Sequence, residues 1–165
     1  MRRVGILLAD LFDEREFLYP YYRVQEAGHA PVVIGLEARE YRAKSGFAWK
    51  AEVGPKEAGE LAALLIPGGF APDYLRRSSR SWPWSGRWRK RGSPWGPSAT
   101  GPVLVSAGVV RGRKVTGFFS IRDDLVNAGG LYQEEGVVVD GNLVTAQGPK
   151  DLPAFMRAFL RLLPG

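Results

Sequence analysis

Apolar residues in this chain come in short dense runs that alternate with longer stretches at helical spacing. RRVGILLA (residues 2–9) is an apolar run of the kind that forms a buried parallel strand. Across residues 13–29 apolar positions recur at helical spacing behind acids in the first turn, and Gly28 supplies a stop. Pro20 predicts a kink or a restart in this helix. APVVIGL (30–36) predicts a second strand, residues 44–53 a hairpin or edge ribbon, and residues 57–63 a short helix. ALLIPGG (63–69) predicts a third buried strand closed by a glycine pair. After Pro102 the pattern predicts a helix start at VLVSAGVVRG, a strand at KVTGFF (114–119) and a polar helix at SIRDDLVNAGG (120–130). VVVDGNLVT (137–145) predicts a hairpin with an Asp-Gly turn of type I′. Residues 149–163 predict a closing amphipathic helix with Pro and Asp at its start. Strands that alternate with helices imply one α/β domain over residues 1–165, its mostly parallel sheet covered on both faces.

Residues 79–101 interrupt this order. The span between LLIPGG and VLVSAG has room for a helix and another core strand. It holds Pro83, Gly86, Gly92, Pro94, Gly96 and Pro97 instead, which break both. A charged stretch so rich in Pro and Gly reads as a disordered insertion. Its tryptophans argue otherwise: Trp82, Trp84, Trp88 and Trp95 are four of the chain's five.

Composition sharpens the anomaly. The net charge of +6 suggests nucleic acid at first sight. Of the 23 Lys and Arg, five fall in 79–101 together with none of the 17 acids, which leaves 18 against 17 elsewhere. The basic character therefore belongs to one segment. The chain has no Cys and one His, so disulfides, thiolate metal sites and a thiol nucleophile are excluded, and neither metal nor cofactor is expected. The apolar start is cut by Asp10, too short for a leader or a membrane span, and a cytoplasmic protein is expected.

Several motifs in order resemble the PfpI-type intracellular peptidases of the class I glutamine-amidotransferase-like superfamily. They are EFLYP (16–20), EAGH (26–29), LIPGGFAPD (65–73), SAGVVRGRKVT (106–116), IRDDLVNAG (121–129) and VVVDGNLVT (137–145). Each alone is weak; their order and spacing over nearly the whole chain are specific. The resemblance implies a flavodoxin-like three-layer α/β sandwich, assembly as a homo-oligomer (dimer or hexamer), and a cysteine hydrolase that acts as a peptidase or on methylglyoxal and its adducts. Such family enzymes carry a turn reading A-x-C-H-G-P, where the cysteine is the nucleophile and the histidine its partner. This chain reads PSATGP, which sets Ala99 at the cysteine position, Thr100 at the histidine position and Gly101 after them.

A reading frame slipped by one nucleotide accounts for the segment. Tryptophan has the single codon TGG, and read one nucleotide earlier it becomes NTG, which encodes only Val, Leu or Met. All four tryptophans then hide apolar residues. Ala99 hides Cys, Arg, Ser or Gly, and Thr100 hides His, Tyr, Asn or Asp. One compatible in-frame reading of 81–101 is VVALVREMAEAGKPVGAICHG, an amphipathic helix, a turn, a buried strand and the nucleophile turn.

The resemblance assigns further roles. Glu16 maps to the glutamate that hydrogen-bonds the cysteine sulfur, and Asp73 to a carboxylate contributed across a subunit interface, where glutamate is usual. Gly68 and Gly69, at a strand end, offer backbone N–H groups for an oxyanion. Without the resemblance Glu16 reads as a partner of the helix dipole, Gly68 and Gly69 as a tight turn, and Asp73 as a helix N-cap. His29 reads as structural, and Arg122, Asp123 and Asp124 as a solvated helix start. With Ala99 in place of the nucleophile, the chain is expected to be inactive on its peptide or small-molecule substrate. Two other readings stand beside this one: a non-catalytic, stress-related family member, and a basic nucleic-acid-binding protein acting through residues 76–93, where aromatics interleave with arginines. No membrane partner is expected, and nucleic acid is the less favoured one.

Overall fold

The computed structural model of the protein describes residues 1–78, 95–97 (as backbone) and 108–163. The apolar opening run forms strand β1 (Arg3–Leu7), with Val4, Ile6 and Leu7 buried. It pairs in parallel with β2 (Ala30–Ile34) on one side and β5 (Ala63–Ile66) on the other. Beyond β5 lie β6 (Trp95–Pro97), β10 (Leu143–Ala146) and β9 (Val137–Asp140), giving the order β2-β1-β5-β6-β10-β9. Only β9 runs antiparallel to its neighbour. Every residue of β5 and of β10 is buried, so the sheet is covered on both faces, as continuous apolar strands demand. The fold is a flavodoxin-like α/β sandwich.

Helix α1 (Glu14–Glu26) packs against β1 and β2 and buries Phe17, Pro20 and Val24, one stripe at helical spacing. Pro20 neither stops nor restarts it. The ring removes one N–H, the donor for the Glu16 carbonyl four residues back, and its burial in the core offsets that loss. The closing helix α4 (Leu152–Leu162) follows a 3₁₀ turn at Pro149–Asp151 and buries Leu152, Phe155, Met156 and Phe159. It packs on β10 and beside α1, so the two helices form one layer. A hairpin of β3 (Glu40–Arg42) and β4 (Ala48–Lys50) is anchored on α1 by Trp49, whose ring lies 5.2 Å from Phe17 and 5.1 Å from Tyr21. Two short helices, α2 (Ala71–Arg76) and α3 (Arg122–Asn127), complete the described elements together with the two-stranded pair β7 (Lys114–Val115) and β8 (Leu131–Tyr132).

Four elements differ from the sequence expectation. Residues 57–63 form no helix: Gly59 takes a φ of +71°, and the Arg3 guanidinium donates to the Glu60 carbonyl at 2.9 Å, so the strand-ward chain is held extended. The strand expected at 114–119 stops at Val115, because the Thr116 N–H leaves the ladder to bond the Thr145 hydroxyl at 2.9 Å. Phe118 and Phe119 beyond it are exposed. The hairpin between β9 and β10 turns on Gly141 and Asn142, and among the described residues only Gly141 of the two has positive φ. That is the sign pattern of a type II′ turn, not type I′. Finally, the anomalous segment does contain a strand. β6 pairs with β5 at three positions and with β10 at Trp95 alone, and Pro97 stands at its end, past the contact with β10, where a missing N–H is tolerated. The expectations for 79–94 and 98–107, including the helix start near Val103, lie outside the described residues.

Phe17 is fully buried at the junction of α1, Phe12, Tyr21 and Trp49. Phe17→Ala is expected to lower unfolding free energy by about 3–5 kcal/mol in urea titrations. A loss under about 1 kcal/mol would mean that this ring cluster does not hold the hairpin to the helix.

Candidate active site

The parallel strands β1, β5 and β6 end at one edge of the sheet, where open α/β sheets place their ligands. Two connections meet there. The stretch after β1 runs past Leu11, a non-glycine residue at φ 62°, into Phe12 and Asp13. The turn after β5 brings Gly68 and Gly69 against it. Phe12 and Gly69 form an antiparallel bridge, with Asp13 N donating to Gly68 O at 3.1 Å and Phe70 N to Leu11 O at 2.9 Å. Gly69 sits at φ +83°, and a Cβ there would lie 2.6 Å from the Leu11 carbonyl oxygen and 2.7 Å from the Asp13 nitrogen. Both neighbours are backbone, so no side chain fits. The bridge uses the N–H groups of Asp13 and Phe70 and leaves that of Gly69 uncommitted to it.

Asp13 caps α1: its Oδ1 accepts from the backbone N–H of Arg15 at 3.0 Å and of Glu16 at 3.4 Å. With Glu16 three residues on, D-x-x-E has the form of a capping box, in which the glutamate would bond back to the cap's own N–H. Here that N–H goes to Gly68 instead. The Glu16 side chain is thereby released from capping. It is 2 % exposed, and its Oε1 has no hydrogen-bond partner among the described residues. Burial first and the Asp13 charge second push this carboxyl up to about 7. Lys44, Arg15 and the Gly68 N–H act the other way. Asp13 is 5 % exposed and also loses hydration. The Arg15 guanidinium at 2.7 Å, the Arg15 N–H and the Lys44 charge outweigh that loss, so its carboxyl lies below the usual range. The two buried acids are thus pushed in opposite directions, Asp13 below the usual carboxylate range and Glu16 up to about 7, a separation that acid–base sites use.

The β3–β4 hairpin is stapled to the same loop. Arg42 N and the Arg39 guanidinium both donate to Asp10, Leu11 N donates to Arg42 O, and Lys44 Nζ lies 3.5 Å from Asp13.

Of the residues singled out from the sequence, Glu16, Gly68 and Gly69 come together. Gly68 and Gly69 form the turn beside the start of α1, where the Gly68 carbonyl accepts from Asp13 N. Asp73 stands apart from them. It is not the cap of α2, a position held by Phe70, but a first-turn residue that bonds Arg77 at 2.8 Å on the surface. An i,i+4 partner one turn on captures it. His29 accepts from Arg2 N through Nδ1 at 3.2 Å, a structural contact. Arg122, Asp123 and Asp124 are exposed at the start of α3. Ala99, Thr100 and Gly101 lie outside the described residues. Asp13 and Lys44 were missed by sequence reasoning. The D-x-x-E spacing was a usable signal for Asp13, whereas nothing local marks Lys44. Among the described residues no cluster of acids and histidines is arranged to hold a metal, and no helix is long and apolar enough to cross a membrane.

The sequence model of the DJ-1/PfpI family matches residues 2–162. The chain is 37 % identical over 164 residues to Deglycase PfpI of Pyrococcus furiosus, covering 98 % of this chain and 99 % of that one. It is 39 % identical over 171 residues to Protein/nucleic acid deglycase 2 of Escherichia coli, covering 98 % of each. Among solved structures, a two-domain protein of Anabaena variabilis with DJ-1/ThiJ/PfpI-like and ferritin-like domains superposes with a TM-score of 0.91 at 35 % identity, over 100 % of this chain and 50 % of that one. DJ-1beta of Drosophila melanogaster gives 0.91 at 23 % identity over 98 % and 90 %, a likeness of fold.

Two outcomes follow for the site's stability. Gly69→Ala is expected to cost on the order of 2–4 kcal/mol in chemical denaturation, since both positive φ and backbone collisions oppose it; a neutral substitution would contradict the close approach. For Glu16, the folded carboxyl holds a proton up to about pH 7 that the unfolded chain, at 4.5, has already released. Its contribution is complete below 4.5 and is lost as pH rises through 7, a change of about 3 kcal/mol. Glu16→Gln should remove that dependence, so the variant gains on the parent between pH 5 and pH 8. A stability difference that stays constant with pH would show that Glu16 ionises normally.

Proposed function

The chain belongs to the DJ-1/PfpI family, and from that premise we propose that it carries the scaffold of a cysteine-dependent deglycase-type enzyme whose nucleophile position is occupied by Ala99, leaving a protein that holds its substrate without turning it over. The observation that carries the reading is the buried Glu16 carboxyl, whose Oε1 has no hydrogen-bond partner among the described residues. A buried polar atom without a partner is uncommon and calls for a reason. A thiol one hydrogen bond away supplies that reason in the family, and this chain has no cysteine. The deglycase names carried by relatives support a deglycase-type activity; adducts of methylglyoxal are the substrate class the family resemblance implies, and peptide hydrolysis is the other chemistry expected from it.

In an intact site the thiolate adds to a carbonyl carbon of the adduct, and negative charge develops on the oxygen. The histidine, at position 100, carries the proton between sulfur, oxygen and leaving group. Glu16 donates to or accepts from the sulfur. The N–H groups of Gly69 and Gly101 are the proposed oxyanion donors. The Gly68 N–H is a further proposed donor of the same kind. Asp73 takes part only if it exchanges Arg77 for a group on a partner subunit. Assembly as a dimer or hexamer belongs to the same proposal, and the exposed Leu11 and Phe70 beside the site favour a covered surface there. An alanine at position 99 forms no covalent adduct, so the rate falls by orders of magnitude. The slipped reading frame across 79–101 is the proposed origin of Ala99 and Thr100.

The test compares the present chain with one in which residues 81–101 carry the in-frame reading given above. The present chain is expected to clear methylglyoxal adducts and peptides at background rate. The restored chain is expected to act on one of them and to lose that activity on thiol alkylation. Turnover by the present chain that ignores alkylation would overturn the proposal. So would an intact gene reading through codons 78–103 in a stable protein whose nucleic-acid binding falls steeply with salt.

A further inference from the structure

Glu16 is held in place by a residue that none of the expected family roles includes. Asp13 is bonded from four directions. Its Oδ1 accepts from the Arg15 and Glu16 backbone N–H groups, which orients the first turn of α1 and with it the Glu16 side chain. Its own N–H donates to the Gly68 carbonyl, which fixes the turn after β5. Its Oδ2 meets the Arg15 guanidinium at 2.7 Å and the Lys44 ammonium at 3.5 Å, which brings in the hairpin. The hairpin is in turn tied to the same loop by Lys44 N donating to Phe12 O at 3.0 Å.

We propose that Asp13 is the positioning residue of this site: a single buried carboxylate that joins the start of α1, the Gly68–Gly69 turn and the β3–β4 hairpin, and that sets the electrostatic surroundings of Glu16. A helix cap alone needs only an accepting oxygen, which asparagine or serine supplies equally. A full charge 5 % exposed is expensive, and its retention needs the two cations that meet it. The charge has an effect that the cap does not. Among the described residues, the groups that bear on Glu16 are Asp13 and Arg15 from the start of α1, Lys44 from the hairpin and Gly68 from the turn. Asp13 opposes ionisation of Glu16, and Lys44 favours it. The protonation state of Glu16 thus depends on whether the hairpin keeps Lys44 against Asp13. This inference rests on the reading of Glu16 as the working carboxyl of the site.

Two charge-neutralising variants with opposite expected signs test it in the full chain. The reading is the titration midpoint of the Glu16 carboxyl by carbon-detected NMR, paralleled by the pH dependence of urea unfolding. Asp13→Asn keeps the cap and removes the charge; the midpoint is expected to fall by about one pH unit. Lys44→Gln, on the partly exposed hairpin, is expected to raise the midpoint by a smaller amount. A residue that merely caps the helix predicts no movement in either variant, and that result, or a rise in Asp13→Asn, would overturn the inference. Its failure is separable from that of the functional proposal. Opposite shifts with an inactive restored chain keep the coupling and remove the enzyme; restored activity with unmoved midpoints does the reverse.

Discussion

The contact between two stretches of backbone, Phe12 against Gly69, sets the geometry of everything at the strand-end edge of this molecule. It is a hydrogen-bonded approach too close for any Cβ, so a glycine in the left-handed region is obligatory. Because the bridge takes the Asp13 N–H, the capping interaction of α1 becomes one-sided. Because it is one-sided, Glu16 is spared from capping and buried with an Oε1 that has no hydrogen-bond partner among the described residues. The positive φ at Leu11 is part of the same arrangement: the chain bends there to bring Phe12 into register with the turn. A local steric requirement at one position thus becomes an electrostatic property of another.

Much of the fold could be read from apolar patterning. β1, β2, β5 and the two long helices are runs whose period matches their burial, and they lie where the periodicity puts them. The departures come from interactions that periodicity does not register. An arginine reaching 57 residues along the chain to the Glu60 carbonyl holds residues 57–63 out of a helix. A threonine hydroxyl 29 residues away ends the short strand β7. Pro20 predicted a kink or a restart because its lost hydrogen bond is a local matter, whereas the compensating burial of its ring, which lets one helix run through it, is tertiary. β6 is the plainest case: its composition argues against a strand, and pairing from β5 supplies the backbone partners regardless of side chains.

Candidate positions were legible where a family pattern spells them, and their partners were opaque where these depend on long-range charge. Glu16, Gly68 and Gly69 were found through the resemblance and lie together. Asp13 was within reach of the sequence, since a cap followed by glutamate at the third position is a known signal, but acids in a first turn have the helix dipole as a sufficient explanation. Lys44 offers no such clue; it matters only because the hairpin folds back on the loop after β1. Asp73 is a motif position whose side chain is engaged by its own helix, through Arg77. A motif identifies residue types at a spacing, and the partner each one chooses is decided by what folds beside it.

The narrowness of β6 bears on how the molecule breathes. Three residues link the sheet's two parts, and at β10 the link is the single pairing of Leu143 with Trp95. On one side, β1, β2 and β5 with α1 come from one contiguous stretch of chain; on the other, β9, β10 and α4 come from a second. Each part closes its own short loops and buries its own apolar strands, so each has the makings of a separate cooperative unit. The seam between them, which among the described residues also includes the packing of α1 on α4, is where amide protons would exchange by partial opening while the interiors of both halves stay protected.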